Sequence, residues 1–116
     1  MITILVIAVI GIAVYLYYKH LDESTVTVEN AFNLANEYHD NGDYVQAIHQ
    51  YTKGLESAPR HYQLWNNRGE VKYQLGRFTE ALADFQKSVE FEPSRSINVR
   101  AYGNIEKCLH MISKLN

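Results

Sequence analysis

The sequence predicts an all-α protein: a single N-terminal transmembrane helix, a short α-solenoid of two helix-turn-helix repeats, and one long C-terminal helix. Three observations predict it. Residues 1–18 of the 116 carry no charged side chain, although the chain holds 11 Lys+Arg and 13 Asp+Glu. Through the rest, Gly, Ala and Pro return at an interval of 34 residues. Between those marks apolar residues recur at i, i+3 and i+4, the spacing of one helix face.

The net charge of -2 averages two unlike segments and describes neither. There is no basic excess, no Lys/Arg run and no Arg-aromatic interleaving, so the electrostatic footprint of a nucleic-acid binder is missing and no nucleic-acid partner is expected. Without the apolar head the chain holds at most one small domain, which excludes multi-domain enzyme architectures. The one cysteine, Cys108, has no internal disulfide partner.

Residues 2–18 read ITILVIAVIGIAVYLYY, followed at once by Lys19, His20, Asp22 and Glu23. As a helix these 17 residues extend roughly 26 Å, at the short end of a hydrocarbon core of about 30 Å. Tyr15, Tyr17 and Tyr18 fall at the interfacial level, and Lys19 snorkels outward. A cleaved signal peptide is the competing reading. It would carry a basic n-region and a small-x-small cleavage site, whereas Val, Tyr, Leu, Tyr and Tyr follow Ala13. Residues 1–19 are therefore expected to form a membrane anchor. Lys19, after the span, places the body on the cytoplasmic side by the positive-inside bias. Residues 20–27 are expected to be a polar linker in which Ser24, Thr25 or Thr27 caps the next helix.

The body repeats. Asn33, Gly42, Ala47, Lys53, Glu56 and Pro59 meet Asn67, Gly76, Ala81, Lys87, Glu90 and Pro93. Each unit, 28–61 and 62–95, reads as two antiparallel helices. In the first, helix A presents Ala31, Leu34, Ala35 and Tyr38, and Gly42 ends it. Asp43 with Gln46 resembles a capping box for helix B, which presents Ala47, Ile48, Tyr51 and Leu55 until Pro59 stops it. In the second, Trp65, Gly69 and Tyr73 precede the turn at Gly76-Arg77, and Ala81, Leu82, Phe85 and Val89 precede Pro93. Ala35, Ala47, Gly69 and Ala81 lie where helix backbones must approach. Residues 96–116 form a terminal helix whose stripe runs through Val99, Ala101, Tyr102, Ile105, Cys108, Leu109, Ile112 and Leu115.

The W-N-N-R-G run at 65–69, Leu75-Gly76-Arg77-Phe78, Glu80-Ala81-Leu82, Phe85 and Glu92-Pro93 on this period resemble the tetratricopeptide repeat (TPR), with residues 28–95 making two copies. The resemblance implies a C-terminal capping helix over the last repeat. Arg68 and Lys72 depart from it, standing where the family places a large apolar residue and an aromatic one. Gly54 replaces a helix-interior Ala at a cost of about 1 kcal/mol.

No G-x-S-x-G, Gly-rich phosphate loop, HExxH or CxxC occurs, so no catalytic residues, cofactor or metal site are expected. His39, Asp40 and Asp43 cross a turn and lack the converging groups of a ligand set. The resemblance instead implies a concave groove for a protein or peptide partner, lined by the inner face of each helix A. From the first repeat it takes Glu29, Phe32, Asn36, His39 and Asp40. The second contributes Gln63, Asn66, Asn67, Glu70, Tyr73 and Gln74, and the terminal helix Arg100, Asn104 and Lys107. Phe32 and Tyr73 are its apolar anchors, and its charge runs from acidic in the first repeat to basic at the C-terminus. Some family members clamp a chaperone's C-terminal carboxylate between Lys, Arg and Asn. Here Asn36 and Asn67 match, but Phe32, Ile97 and Ala101 replace the cations, which disfavours that mode. The resulting expectation is a membrane-anchored interaction module, an adaptor or assembly factor, with a self-associating structural subunit as the alternative.

Overall fold

The computed structural model describes residues 1–115 and contains five α-helices: α1 Ile2–Asp40, α2 Tyr44–Ser57, α3 Tyr62–Gln74, α4 Phe78–Phe91 and α5 Val99–Leu115. They pack in sequence order as an all-α helical array. Asn116 and the side chains of Ser24 and Val26 lie outside the described residues.

The first helix departs from expectation. It runs unbroken for 39 residues, through the segment expected to be a linker. No Gly or Pro stands between Gly11 and Gly42 to stop it. Thr25 and Thr27 do not cap a new helix; each hydroxyl donates to the carbonyl four residues back, Leu21 and Glu23, at 2.9 and 2.8 Å. Residues 2–18 are not buried by the body, and among the described helices α1 is the one long and apolar enough to cross a membrane.

Helices α1 and α3 end alike because the same turn chemistry recurs. Gly42 and Gly76 adopt φ of +78° and +76°, the left-handed conformation that costs glycine no Cβ clash. The next N–H reaches back in each case: Asp43 to the Tyr38 carbonyl at 2.8 Å, Arg77 to that of Lys72 at 2.9 Å. These are Schellman closures, which satisfy the last helical carbonyls and reverse the chain. Asp43 then caps α2 by accepting from Gln46 N–H.

Small residues set the spacing within each pair. Ala35, Ala47 and Ala81 are fully buried. A Cβ on Gly69 would lie 2.7 Å from Cε1 of Phe85, so only glycine lets α4 approach α3 this closely. Gly54 has a similar reason, since its Cβ would meet Leu64 Cδ1 at 3.0 Å. The first repeat closes over Tyr51, Leu55, Leu64 and Val71, and the second over Phe85 with Cys108.

Arg68 and Lys72 do not weaken the second repeat in the way their departure from the family pattern suggests. Arg68 donates from Nε and Nη2 to Asp84 at 2.8 Å each, and Lys72 Nζ lies 3.0 Å from the same carboxylate. Asp84 is 3% exposed. Arg68 also reaches Thr52 of α2 at 3.2 Å, which ties the two repeats together.

The terminal helix begins at Val99, three residues later than the expected start at 96. Residues 94–98 form a turn instead, held by buried Asn98, whose amide donates to Ser88 Oγ at 3.0 Å and the Glu92 carbonyl at 3.1 Å. Ala101 and Cys108 are fully buried, Cys108 against Ala81 and Phe85 of α4, but Val99, Leu109 and Leu115, expected on the packed stripe, are exposed.

Candidate functional site

The residues expected to line a groove come from α1, α3 and α5, and the fold brings all three helices to one face. Much of that face is bonded to itself. Asn67 Nδ2 donates to Asn36 Oδ1 at 3.3 Å, and His39 Nε2 lies 2.7 Å from Gln74 Oε1. These two rungs join α1 to α3. The second set joins α3 to α5: Asn104 Nδ2 donates to Asn66 Oδ1 at 3.2 Å and to Glu70 Oε1 at 3.1 Å. Arg100 Nη2 donates to both oxygens of Glu70, at 2.7 and 2.6 Å.

Eight of the expected groove residues therefore serve as cross-links between successive helices. Asn66 and Asn67, expected as groove amides, are buried, because polar side chains between packed helices persist only when their partners lie within the protein. The expected basic C-terminal end is corrected as well. Glu70 neutralises Arg100 within the molecule, leaving Lys107 as the groove cation without an ion pair among the described residues.

Tyr51 belongs to the same network and was not among the expected site residues. Its hydroxyl donates to Asn36 Oδ1. Burial, with the carboxylates of Glu70 and Asp40 adding, pushes its pKa up from 10.0 to about 12, so the phenol keeps its proton. The pattern marked Tyr51 only as a core residue, since period alone does not say which buried aromatic finds a polar partner.

Six expected residues are left out of those cross-links: Glu29, Phe32, Asp40, Gln63, Tyr73 and Lys107. Glu29, Phe32 and Gln63 line a cleft of about 380 Å³ between α1 and the turn after α2, together with Val28, Ala58 and His61. Phe32 and His61 face each other there, with ring centroids 5.9 Å apart. Tyr73 and Lys107 line a second depression of about 240 Å³, with His39, Glu70, Gln74 and Asn104 around them and Phe85 beneath. A smaller one of about 120 Å³ between the two holds Gln63, Asn66, Asn67 and Arg100. Asp40 is exposed and lines none of the three.

At the positions of the carboxylate clamp, Asn36 and Asn67 bond to each other, Ala101 is fully buried, and Ile97 and Phe32 carry no charge. The Arg68–Asp84–Lys72 triad was also not foreseen. Its one sequence signal is an Asp three residues after Ala81, inside the apolar pattern of a helix whose neighbour carries two cations four apart.

An array of helix pairs with this turn chemistry and its A helices side by side on one face is a helical-repeat binding module. The tetratricopeptide-repeat family model matches residues 32–96, more than half of the chain, and the chain belongs to that family of protein–protein interaction modules. Human DnaJ homolog subfamily C member 7 is 39% identical over 59 residues, 51% of this chain and 12% of that protein. Anaphase-promoting complex subunit 3 of Schizosaccharomyces pombe is 31% identical over 84 residues, 71% of this chain and 13% of that protein. The chain thus spans a small fraction of these relatives. Among solved structures, the TPR2B domain of yeast Sti1 in complex with an Hsp70 peptide superposes with a TM-score of 0.71 at 28% identity, covering 77% of this chain and 69% of that one. The first TPR domain of Spaghetti (RPAP3) bound to an HSP90 peptide gives 0.70 at 27% identity, covering 77% and 70%.

Proposed function

We propose that the chain is a membrane-anchored TPR module that recruits a partner protein by holding an extended segment of it in the groove. Residues 1–19 are the anchor, 20–27 a helical connector, 28–61 and 62–95 the repeats, and 96–116 the cap. The observation that carries this reading is the cleft around Phe32. It is open, mostly apolar, and built on the same unbroken helix as the apolar segment. At about 1.5 Å per residue, Phe32 stands roughly 21 Å beyond Tyr18, so a bound segment is held close to the bilayer.

The solved relatives support a peptide ligand, since the Sti1 and RPAP3 domains are seen with chaperone peptides. The chemistry of the site differs at the ligand's end. Without cations at Phe32, Ile97 and Ala101, a terminal carboxylate loses its charge-assisted bonds. The groove therefore selects an internal or apolar-anchored segment, with one side chain in the Phe32 cleft and another beside Tyr73 and Lys107. Of the expected lining residues, Glu29, Phe32, Gln63, Tyr73 and Lys107 meet the ligand, while the cross-linked eight hold the helices at the right separation.

The test is affinity capture with the full chain, comparing wild type with Phe32→Ala/Tyr73→Ala/Lys107→Ala. Partners lost from the variant while its melting temperature is retained support the groove. Identical partner sets would sink it. Protease protection of the body in sealed vesicles tests the anchor and its cytoplasmic orientation independently, and a chain that stays in the aqueous phase after vesicle flotation would overturn the anchor.

A further inference from the structure

The cleft around Phe32 does not end at the body. Upstream of it α1 continues unbroken towards the apolar segment. On that stretch Leu21, Thr25, Val28 and Phe32 recur at intervals of four, three and four, which puts them on one helix face. Leu21 is 42% exposed, and Thr25, Val28 and Phe32 line the cleft. The Thr25 hydroxyl is satisfied by the Leu21 carbonyl at 2.9 Å, so it asks nothing polar of an occupant. A mainly apolar track therefore runs from the end of the membrane segment into the cleft.

Negative charge flanks this track. Asp22 and Glu29, seven residues apart, lie along the same side of it, and both are exposed without an ion pair among the described residues. Glu23 adds a third carboxylate, and from 19 to 29 the one Lys or Arg is Lys19. Arg60, in the turn that closes the cleft, does not answer them: its guanidinium lies over Phe91, 5.4 Å from the ring centroid. His61, the other ionisable group in the cleft wall, accepts the Leu64 N–H at Nδ1, 3.4 Å away, a role open only to the uncharged ring.

We propose that this track and cleft take the juxtamembrane segment of another integral membrane protein. That segment is rich in Lys or Arg, adjoins its own protein's span, and seats one large apolar side chain against Phe32. The proposal rests on the anchored-groove reading and names the occupant of its membrane-proximal end. Level decides the source. With Tyr18 at the bilayer interface, Leu21 stands roughly 5 Å out, within the headgroup layer, and Phe32 roughly 21 Å out. A soluble segment meets only the outer part of the track, whereas a chain leaving the bilayer beside α1 meets all of it. Such a chain covers the distance to Phe32 in about 6 residues if extended or about 14 if helical. Charge decides the composition. Cytoplasmic segments next to spans carry an excess of Lys and Arg. Three carboxylates beside an anionic leaflet are repelled by it, and a basic partner segment offsets that repulsion. A second copy of this chain, held parallel by the same membrane, brings the same acidic stretch to the same level, with one Lys for three carboxylates. Like charges facing each other suppress that pairing.

Two measurements on the full chain test this. In the first, p-azidophenylalanine stands in place of Thr25 in the expressing cell's own membranes, and the photo-adduct is located by mass spectrometry. The adduct is expected within about 14 residues of a membrane span of another protein, in a segment with excess Lys and Arg. Asp22→Lys/Glu29→Lys is expected to remove it. An adduct with a soluble protein, with a segment remote from any span or with a second copy overturns the proposal. So does the absence of an adduct, or one that survives the charge reversal. The second measurement uses two short peptides capped at both ends, each with one central Phe, flanked by lysines in one and by glutamates in the other. Fluorescence anisotropy against the chain in zwitterionic micelles is expected to show the lysine peptide binding about tenfold or more tightly, the ratio for one charge-assisted contact. Asp22→Lys/Glu29→Lys is expected to reverse the order. Equal affinities, binding of neither peptide, or an order that the variant leaves unchanged overturns the proposal. A partner lost from Phe32→Ala/Tyr73→Ala/Lys107→Ala but attached far from any span sinks it alone and leaves the groove standing.

Discussion

Replacing Asp84 by Ala is expected to be among the most damaging single changes outside the apolar core. The carboxylate accepts three charge-assisted bonds, two from Arg68 at 2.8 Å and one from Lys72 at 3.0 Å. The side chains of Asp84, Arg68 and Lys72 are only 4%, 15% and 12% exposed, so water does not replace what is lost. Arg68 would keep one hydroxyl partner, Thr52, and its stacking on Trp65 at 5.0 Å. Removing one member of a buried ion network costs about 3–5 kcal/mol. For a domain of this size each kcal/mol moves the melting temperature by about 4–8 °C, so Asp84→Ala should lower it by at least about 12 °C. Thermal unfolding of the full chain in detergent, followed by circular dichroism, measures this. The control is Arg68→Leu/Lys72→Leu/Asp84→Leu, which removes the stranded charges together with their partner and should recover most of the loss, as apolar replacement of whole buried networks does. An Asp84→Ala protein melting within about 3 °C of wild type would refute the assignment. So would a triple variant as unstable as the single one, because the damage would then not come from uncompensated charge.

Three further outcomes are expected. Gly69→Ala should cost about 1–3 kcal/mol by overpacking against the Phe85 ring, whereas Gly103→Ala, in a helix interior with open space around it, should gain about 0.5–1 kcal/mol; denaturant midpoints compare them. Tyr51 titrates near 10.0 when unfolded and about 12 when folded, so its contribution to stability is intact below pH 10 and is lost as pH rises from 10 towards 12. Tyr51→Phe should remove that alkaline slope from the melting profile while losing the bond to Asn36. Cys108 is fully buried, and burial raises its thiol pKa to about 11, so aromatic-disulfide labelling should be slow in the native protein and fast in denaturant. Rapid native labelling would contradict the packing of α5 on α4.

Some features need only local information and were legible as such. Gly42 and Gly76 end helices because a left-handed residue is required there, and the requirement is written in one residue type at a fixed interval. Ala35, Ala47, Gly69 and Ala81 mark close approach because size alone decides it. The apolar run of residues 2–18 was equally plain, since no face of that helix is polar. The repeat family follows from the same marks, and with it the helix pairs.

Other features arise only when distant side chains meet. The stretch at 20–27 looked like a linker because it is polar, yet helix continuation depends on whether anything stops the backbone, and nothing there does. Arg68 and Lys72 looked misplaced until Asp84, sixteen and twelve residues later, proved to be their common partner. Glu70 and Arg100, thirty residues apart, were both taken as groove residues open to a ligand and instead neutralise each other. Spacing along the chain says which side chains share a helix face. Which of them are satisfied from within, and which remain for a ligand, depends on how closely the next helix packs, and that is decided by the assembled array.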